Sequence, residues 1–266
     1  MVRALTPQTA RTRDDALSGD DAAAPGHVGS TRPRLWPELA FLGIVYLLYS
    51  VVRNAAPSRV ARAVQNAHDI LDLERLLGLD VEHSLNTMTT AIPAIAVPAN
   101  VYYGTLHFAV TGAVLVWVYV SRPHAYRKAR GVLLVMTLLA LVGYWLYPLA
   151  PPRLTPGEGY VDTMRTLGIW GVAPSDLVVS ASNQYAAMPS MHIGWSLWSG
   201  LVLVRHTARP VLRVLGALYP AVTLLVVVVT GNHYVLDAVG AVIVLVVAVG
   251  IVAATADLVT VDRPAG

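Results

Sequence analysis

The chain has 266 residues, 55% of them hydrophobic and 13% charged, with a mean hydropathy of +0.57 and a formal net charge of +3. A soluble domain of this size carries roughly a quarter charged residues, so a water-soluble globule is excluded, and a net charge this small without a basic stripe excludes nucleic-acid binding. The absence of cysteine removes disulfide scaffolds, Cys-ligated zinc and thiol catalysis.

Residues 1–34 are polar and aperiodic and read as a disordered cytoplasmic tail. Six apolar blocks follow, at 35–52, 101–120, 131–150, 189–206, 211–230 and 234–256, each near the ~20 residues that cross a hydrocarbon core. The fourth is the shortest. The run Val226–Val229 favours a strand in water, but an open strand leaves its backbone unpaired in lipid, so a helix is expected. Between the first two blocks, residues 54–90 carry Val60, Val64, Ala67, Ile70, Leu71, Leu73, Leu76 and Leu77 among charges, the spacing of an amphipathic helix lying on a membrane surface. Residues 151–188 form a long loop rich in Pro and Gly, with Tyr160, Trp170 and Tyr185, and loops of this length commonly carry function. Residues 257–266 make a short second tail. The expected fold is all-α: a polytopic membrane bundle of about six helices over residues 35–256, with one interfacial helix.

Arginine bias sets the expected orientation. Arg122, Arg127, Lys128 and Arg130 fall between spans two and three, and Arg205 and Arg209 between spans four and five. Short positive loops stay in the cytoplasm, so both termini are expected inside a cell membrane.

Span counting then brings one constellation to the outer face. Pro151-Pro152-Arg153 leaves span three, Pro189-Ser190-Met191-His192 opens span four, and Gly231-Asn232-His233 turns into span six, whose first turn holds Asp237. His233 and Asp237 are four apart, so on a helix the carboxylate can hold one ring nitrogen and leave the other as nucleophile or base. Ser190 and the free N–H groups of a helix start suit an anion, as does the planar fork of Arg153. His192 can protonate a leaving oxygen. Each piece has a plainer reading: His233–Asp237 as a structural pair, Arg153 as a headgroup anchor, His192 as a packing residue. Tyr103 and His107, on the same side of span two, are read first as polar contacts between helices and then as outer supports of the site, with Tyr185. Their convergence on one face is what favours chemistry.

Met188-Pro189-Ser190-Met191-His192 and Gly231-Asn232-His233-Tyr234-Val235-Leu236-Asp237 resemble the second and third signature motifs of the type 2 phosphatidic acid phosphatase superfamily, over roughly residues 35–256. Ala150-Pro151-Pro152-Arg153 and Thr230-Gly231-Asn232-His233 look most like its inositol-phosphotransferase branch, similar to inositol phosphorylceramide synthases. The resemblance implies a metal-independent, two-step transfer without cofactor. His233 would form a phosphohistidine, Asp237 would orient it, and His192 would serve as acid and then base. Arg153, Ser190, Gly231 and Asn232 would hold the phosphate. The partners implied are a lipid phosphate or phospholipid and the surrounding lipids, and a homo-oligomer is compatible with such a bundle. The sequence departs from the phosphatase pattern. Val226 and Val227 stand where its third motif has Ser-Arg, and the Lys-x6-Arg-Pro first motif is missing. The phosphate shell is therefore short of cations unless Arg165 or another loop residue adds one. Three readings stay open: a phosphoesterase or phosphotransferase that passes the phosphoryl group to inositol, a lipid hydroxyl or water; a polyprenyl or phosphatidic acid phosphatase; and a non-catalytic scaffold or small transporter on the same bundle.

Overall fold

The computed structural model describes residues 32–57, 59–168 and 183–261, and the backbone alone for 256–261. Trp170, most of the expected N-terminal tail and residues 262–266 lie outside the described residues. The described residues form nine α-helices: α1 (Leu35–Ala55), α2 (Val60–Leu77), α3 (Glu82–Thr90), α4 (Pro93–Ser121), α5 (Pro123–Leu146), α6 (Thr163–Thr166), α7 (Met191–His206), α8 (Pro210–Val229) and α9 (Val235–Val261). Leu149 and Ala186 pair through one isolated β-bridge.

Five helices, α1, α4, α5, α8 and α9, are long and apolar enough to cross a membrane. The fourth expected span, α7, differs. It has 16 residues, about 24 Å at ~1.5 Å per residue, which is short of a ~30 Å hydrocarbon core. Its length follows from its place. It packs on α4, α5, α8 and α9, and no side chain before Arg205 is exposed. Trp195 and Trp198 anchor it to α5 through Nε1–H bonds to Thr137 Oγ1 (3.1 Å) and the Ala129 carbonyl (2.8 Å). On its other side Gly200 meets Gly216 of α8, where an added Cβ would stand 2.3 Å from the Gly216 carbonyl oxygen. Small residues let two membrane helices approach this closely.

Despite its length, α7 runs from one end of the bundle to the other. Its C-terminal carbonyl, His206 O, accepts from Arg122 Nε at 2.9 Å, at the α4–α5 junction. Glu38 at the start of α1 meets Arg130 (2.5 Å) and Tyr126 OH (2.8 Å) nearby. His192, at the other end of α7, therefore stands with the end of α5 and the start of α9.

The basic segment between spans two and three is not a loop. Pro123 occupies the first helical position, where its fixed φ suits the geometry, and α5 carries Arg127, Lys128 and Arg130 on its first two turns. One of these charges, Arg130, is neutralised by Glu38. The same helix ends at Leu146, four residues earlier than expected, ahead of Pro148. At the far end, α9 continues to Val261, past the expected limit at 256.

The segment 54–90 is two helices, split where Gly78 takes φ +68° as the C-cap of α2. Its apolar face is also divided. Ala67, Ile70 and Leu71 pack with Leu149, Ala150, Ala187 and Tyr234 over the end of the bundle, whereas Val60, Leu73, Leu76 and Leu77 point outward.

Candidate active site

The turn between α8 and α9 shapes the site. Thr230 closes α8, its hydroxyl returning to the Val226 carbonyl at 2.7 Å. Gly231 then takes φ +67°, a left-handed conformation that L side chains rarely adopt, and a Cβ there would lie 3.2 Å from Asn86 Nδ2. The chain reverses and presents His233 just before α9 starts.

Carboxylates from three segments take the first amides of α9. Tyr234 N–H donates to Asp237 Oδ2 (3.1 Å), Val235 N–H to Glu82 (2.9 Å) and Leu236 N–H to Glu74 (2.8 Å). All three acids are fully buried. Their oxygens accept from N–H groups that the helix start leaves unpaired, at the positive end of the helix dipole. Desolvation pushes the Glu74 carboxyl up to about 9, its bond from Leu236 N–H opposes this, and the neighbouring Glu82 adds to it. The same Asp237 Oδ2 lies 3.0 Å from His233 Nδ1. An ionised carboxylate only accepts, so Nδ1 carries the proton and the Nε2 lone pair is left for chemistry.

Arg153 reaches this turn from the other side. After Pro151, residues Pro152–Leu154 make one 3-10 turn. Arg153 N–H then donates to the Gly231 carbonyl and its Nε–H to Asn232 Oδ1, both at 2.9 Å. Asn232 is braced by Thr230 Oγ1 at 2.8 Å. Arg153 Nη1 is buried and has no hydrogen-bond partner among the described residues.

His192 is the second residue of α7. Its ring stacks on Tyr103 at 4.2 Å and 17°, touches His107 at 4.0 Å, and lies 5.5 Å from the His233 ring. These groups line a cavity of about 660 Å³ together with Arg53, Asn232 and Arg153. Along α1 and α4 its wall is made of Tyr46, Tyr49, Gly104, Thr105 and Phe108. Tyr46 and Phe108, whose rings meet at 6.5 Å, line the cavity and are 52% and 47% exposed, so the cavity opens between α1 and α4 at a half-open aromatic seam.

Most of the residues expected at the site come together here: His192, His233, Arg153, Asn232, Tyr103 and His107 line the cavity, and Asp237 stands behind His233. Besides Asp237, three others do not line it. Ser190 Oγ is fully buried and accepts from Ile193 N–H (3.4 Å) as the cap of α7. Gly231 forms the turn. Tyr185 sits in the extended pairing, its carbonyl accepting from Leu149 N–H (2.8 Å). Arg165 is exposed on α6 and lies off the cavity, while Arg53, in the last turn of α1, lines it.

Four neighbours escaped the sequence reading: Arg53, Glu74, Glu82 and Asn86. Asn86 clamps three segments, donating to the Val161 and Val229 carbonyls (3.1 Å each) and accepting from Val161 N–H (2.8 Å). A signal for Glu74 was present. It follows Ala63, Ala67, Ile70 and Leu71 at helical spacing, an acid in line with a buried face.

Residues 68–251, more than two thirds of the chain, match the family model of the PAP2 superfamily. The chain belongs to the PAP2 superfamily. Comparison with curated proteins and with solved structures gives no match. Superfamily membership and the five membrane-length helices make this a membrane protein of the phosphatase type.

Proposed function

We propose that this PAP2-superfamily protein is a phosphotransferase of the inositol-phosphotransferase type. It moves a phosphoryl group from a lipid donor to inositol, or to the hydroxyl of another lipid, at the extracytoplasmic face. The observation that carries the reading is the paired histidines. The His192 and His233 rings lie 5.5 Å apart in one cavity, with His233 oriented by a buried carboxylate. Their spacing lets both rings reach one phosphoryl group.

In the first step the Nε2 lone pair of His233 attacks phosphorus. The P–O bond to the donor alcohol breaks, and protonated His192 gives its proton to the departing oxygen. Asp237 stabilises the positive charge that builds on the His233 ring. In the second step His192, now neutral, takes the proton of the acceptor hydroxyl as that oxygen attacks phosphorus. The P–N bond breaks and returns its electron pair to Nε2. Arg153 neutralises charge on the phosphoryl oxygens throughout, and no step calls for a metal.

Three features support a transferase acting on lipid. The Pro-Pro-Arg and Thr-Gly-Asn-His stretches that resemble the inositol-phosphotransferase branch meet through the two bonds from Arg153 to Gly231 and Asn232. A cavity of about 660 Å³ has room for a second polar molecule beside the phosphoryl group. The α1–α4 seam gives a hydrocarbon chain a path to the bilayer. The test is to present headgroup-labelled phospholipids and lipid phosphates to the purified protein, with and without inositol, and to separate the products. Labelled phosphoinositol product that appears only with inositol is expected. Free phosphate at the same rate in both mixtures would reassign the protein to the lipid phosphatases, and no turnover of either class would leave a scaffold.

A further inference from the structure

Among the described residues, the cavity wall holds two arginines and three histidines, Arg53, His107, Arg153, His192 and His233, and no Asp or Glu. Two arginines elsewhere in the described residues are paired, Arg75 with Glu158 and Asp72 and Arg130 with Glu38. Neither Arg53 nor Arg153 has a carboxylate within 4.0 Å among the described residues. A guanidinium left in a half-buried wall without an anion is costly, and a bound anion repays that cost.

Arg53 is held in place. One Nη2–H donates to the Asn183 carbonyl (3.2 Å), and the Asn183 side chain returns bonds to the Arg53 (3.3 Å) and Ala56 (3.2 Å) carbonyls. This fixes the end of α1 against the strand-like stretch that leads into α7. Of the five N–H donors of the fork, one is used there among the described residues. Both cations line the same cavity, Arg53 from the last turn of α1 and Arg153 from the 3-10 turn after Pro151.

We propose that Arg53 is a second phosphoryl-binding residue, gripping from α1 an oxyanion that Arg153, steadied by Asn232, holds from the 3-10 turn after Pro151. The inference rests on reading the cavity as a phosphoryl site, but it concerns binding and does not need turnover. With both forks engaged, up to three phosphoryl oxygens gain charged donors, a set that favours the doubly charged oxygens of a phosphate ester at neutral pH. Arg53 also stands on the helix that forms one side of the α1–α4 seam, so the headgroup is held next to the place where its chain leaves the protein.

The experiment is calorimetric titration of the full-length protein in detergent with inorganic phosphate and with orthovanadate. Arg53→Gln is expected to weaken phosphate binding roughly 10- to 100-fold, the worth of charge-assisted bonds to one fork, with an unchanged melting temperature. Methylguanidinium is expected to restore part of the affinity, which a merely structural loss would not allow. Phosphate affinity in Arg53→Gln within about twofold of wild type overturns the proposal. Should Arg53→Gln not fold, Arg53→Lys carries the test: it keeps the charge, loses the fork and is expected to bind about threefold or more weakly, and wild-type affinity in it overturns the proposal. Weakened phosphate binding in a protein that turns over no lipid would retain Arg53 as a ligand and remove the proposed activity. Normal turnover with unchanged KM and phosphate affinity in Arg53→Gln would do the reverse.

Discussion

Asp237→Asn separates a structural pair from a catalytic one, because the bonds at this side chain allow only two outcomes. Oδ2 now accepts from both His233 Nδ1 and Tyr234 N–H, while Oδ1 is buried without a partner among the described residues. If the asparagine oxygen takes the Oδ2 place, both bonds survive and the amide NH₂ replaces Oδ1 in a pocket with no acceptor. That costs about 1–3 kcal/mol of stability, and the charge that supports a cationic His233 is gone. If the NH₂ group takes the Oδ2 place, it faces Tyr234 N–H and donates to Nδ1. The proton then sits on Nε2, the atom meant to attack phosphorus. Both arrangements slow phosphoryl transfer, the second by about 10⁴-fold on the precedent of a mis-set tautomer, or ~5.5 kcal/mol of barrier. His233→Ala removes the attacking atom and is expected to abolish turnover. The assay is single-turnover release of the donor alcohol from labelled lipid, alongside a melting curve to show that each variant is folded. A folded Asp237→Asn within about tenfold of wild type, under ~1.4 kcal/mol of barrier, would refute a catalytic role for Asp237 and leave the pair as packing, and a folded His233→Ala that kept more than a few per cent of the rate would refute His233 as nucleophile.

Glu74 predicts a pH effect on stability. Its carboxyl is raised from 4.5 to about 9 in the fold, so between those values the native state binds more protons than the unfolded chain. Stability is therefore full below pH 4.5 and lost as pH rises toward 9, and Glu74→Gln, which keeps an acceptor for Leu236 N–H, is expected to flatten the decline in melting temperature. An identical slope in both proteins would refute the assignment. Gly200→Val drives a Cβ to within 2.3 Å of the Gly216 carbonyl and is expected to cost about 1–3 kcal/mol or more in a thermal melt, where an unchanged midpoint would contradict the close α7–α8 contact. For orientation, Pro156→Cys and His124→Cys are both exposed sites at opposite ends of the bundle in a chain with no native cysteine. An impermeant maleimide on intact cells is expected to reach the first alone, and the reverse pattern would place the site in the cytoplasm.

The lipid-facing spans were legible in the sequence because α1, α8 and α9 show one environment, hydrocarbon, along most of their length. The helix α7 was the shortest of the apolar blocks and stood out mainly through Pro189-Ser190-Met191-His192. Its Ser196, Ser199, Gly194 and Gly200 lower its hydropathy because its neighbours are other helices, and composition reports lipid far better than it reports protein contact. The histidines and Arg153 were found because polar residues at span ends stand out. Glu74, Glu82 and Asn86 were hidden for the opposite reason: they lie in a stretch already rich in charge, where an acid reads as solvated until the amides of α9 are seen to occupy it. Arg53 stands at the end of a span, where an arginine is commonplace, and only the cavity beside it sets it apart. The split of 54–90 at Gly78 was in principle visible, since glycine favours a C-cap, but the apolar periodicity continued across it.

The short helix α7 carries a last consequence. Bilayers differ in thickness, and a helix that touches lipid must tilt, bend or stretch its surroundings to match. The long rods α4 and α9 meet hydrocarbon and absorb that adjustment. Enclosed by four helices, α7 has no lipid boundary to match, so the histidine at its tip keeps its distance from the α8–α9 turn when the surrounding membrane thins or swells.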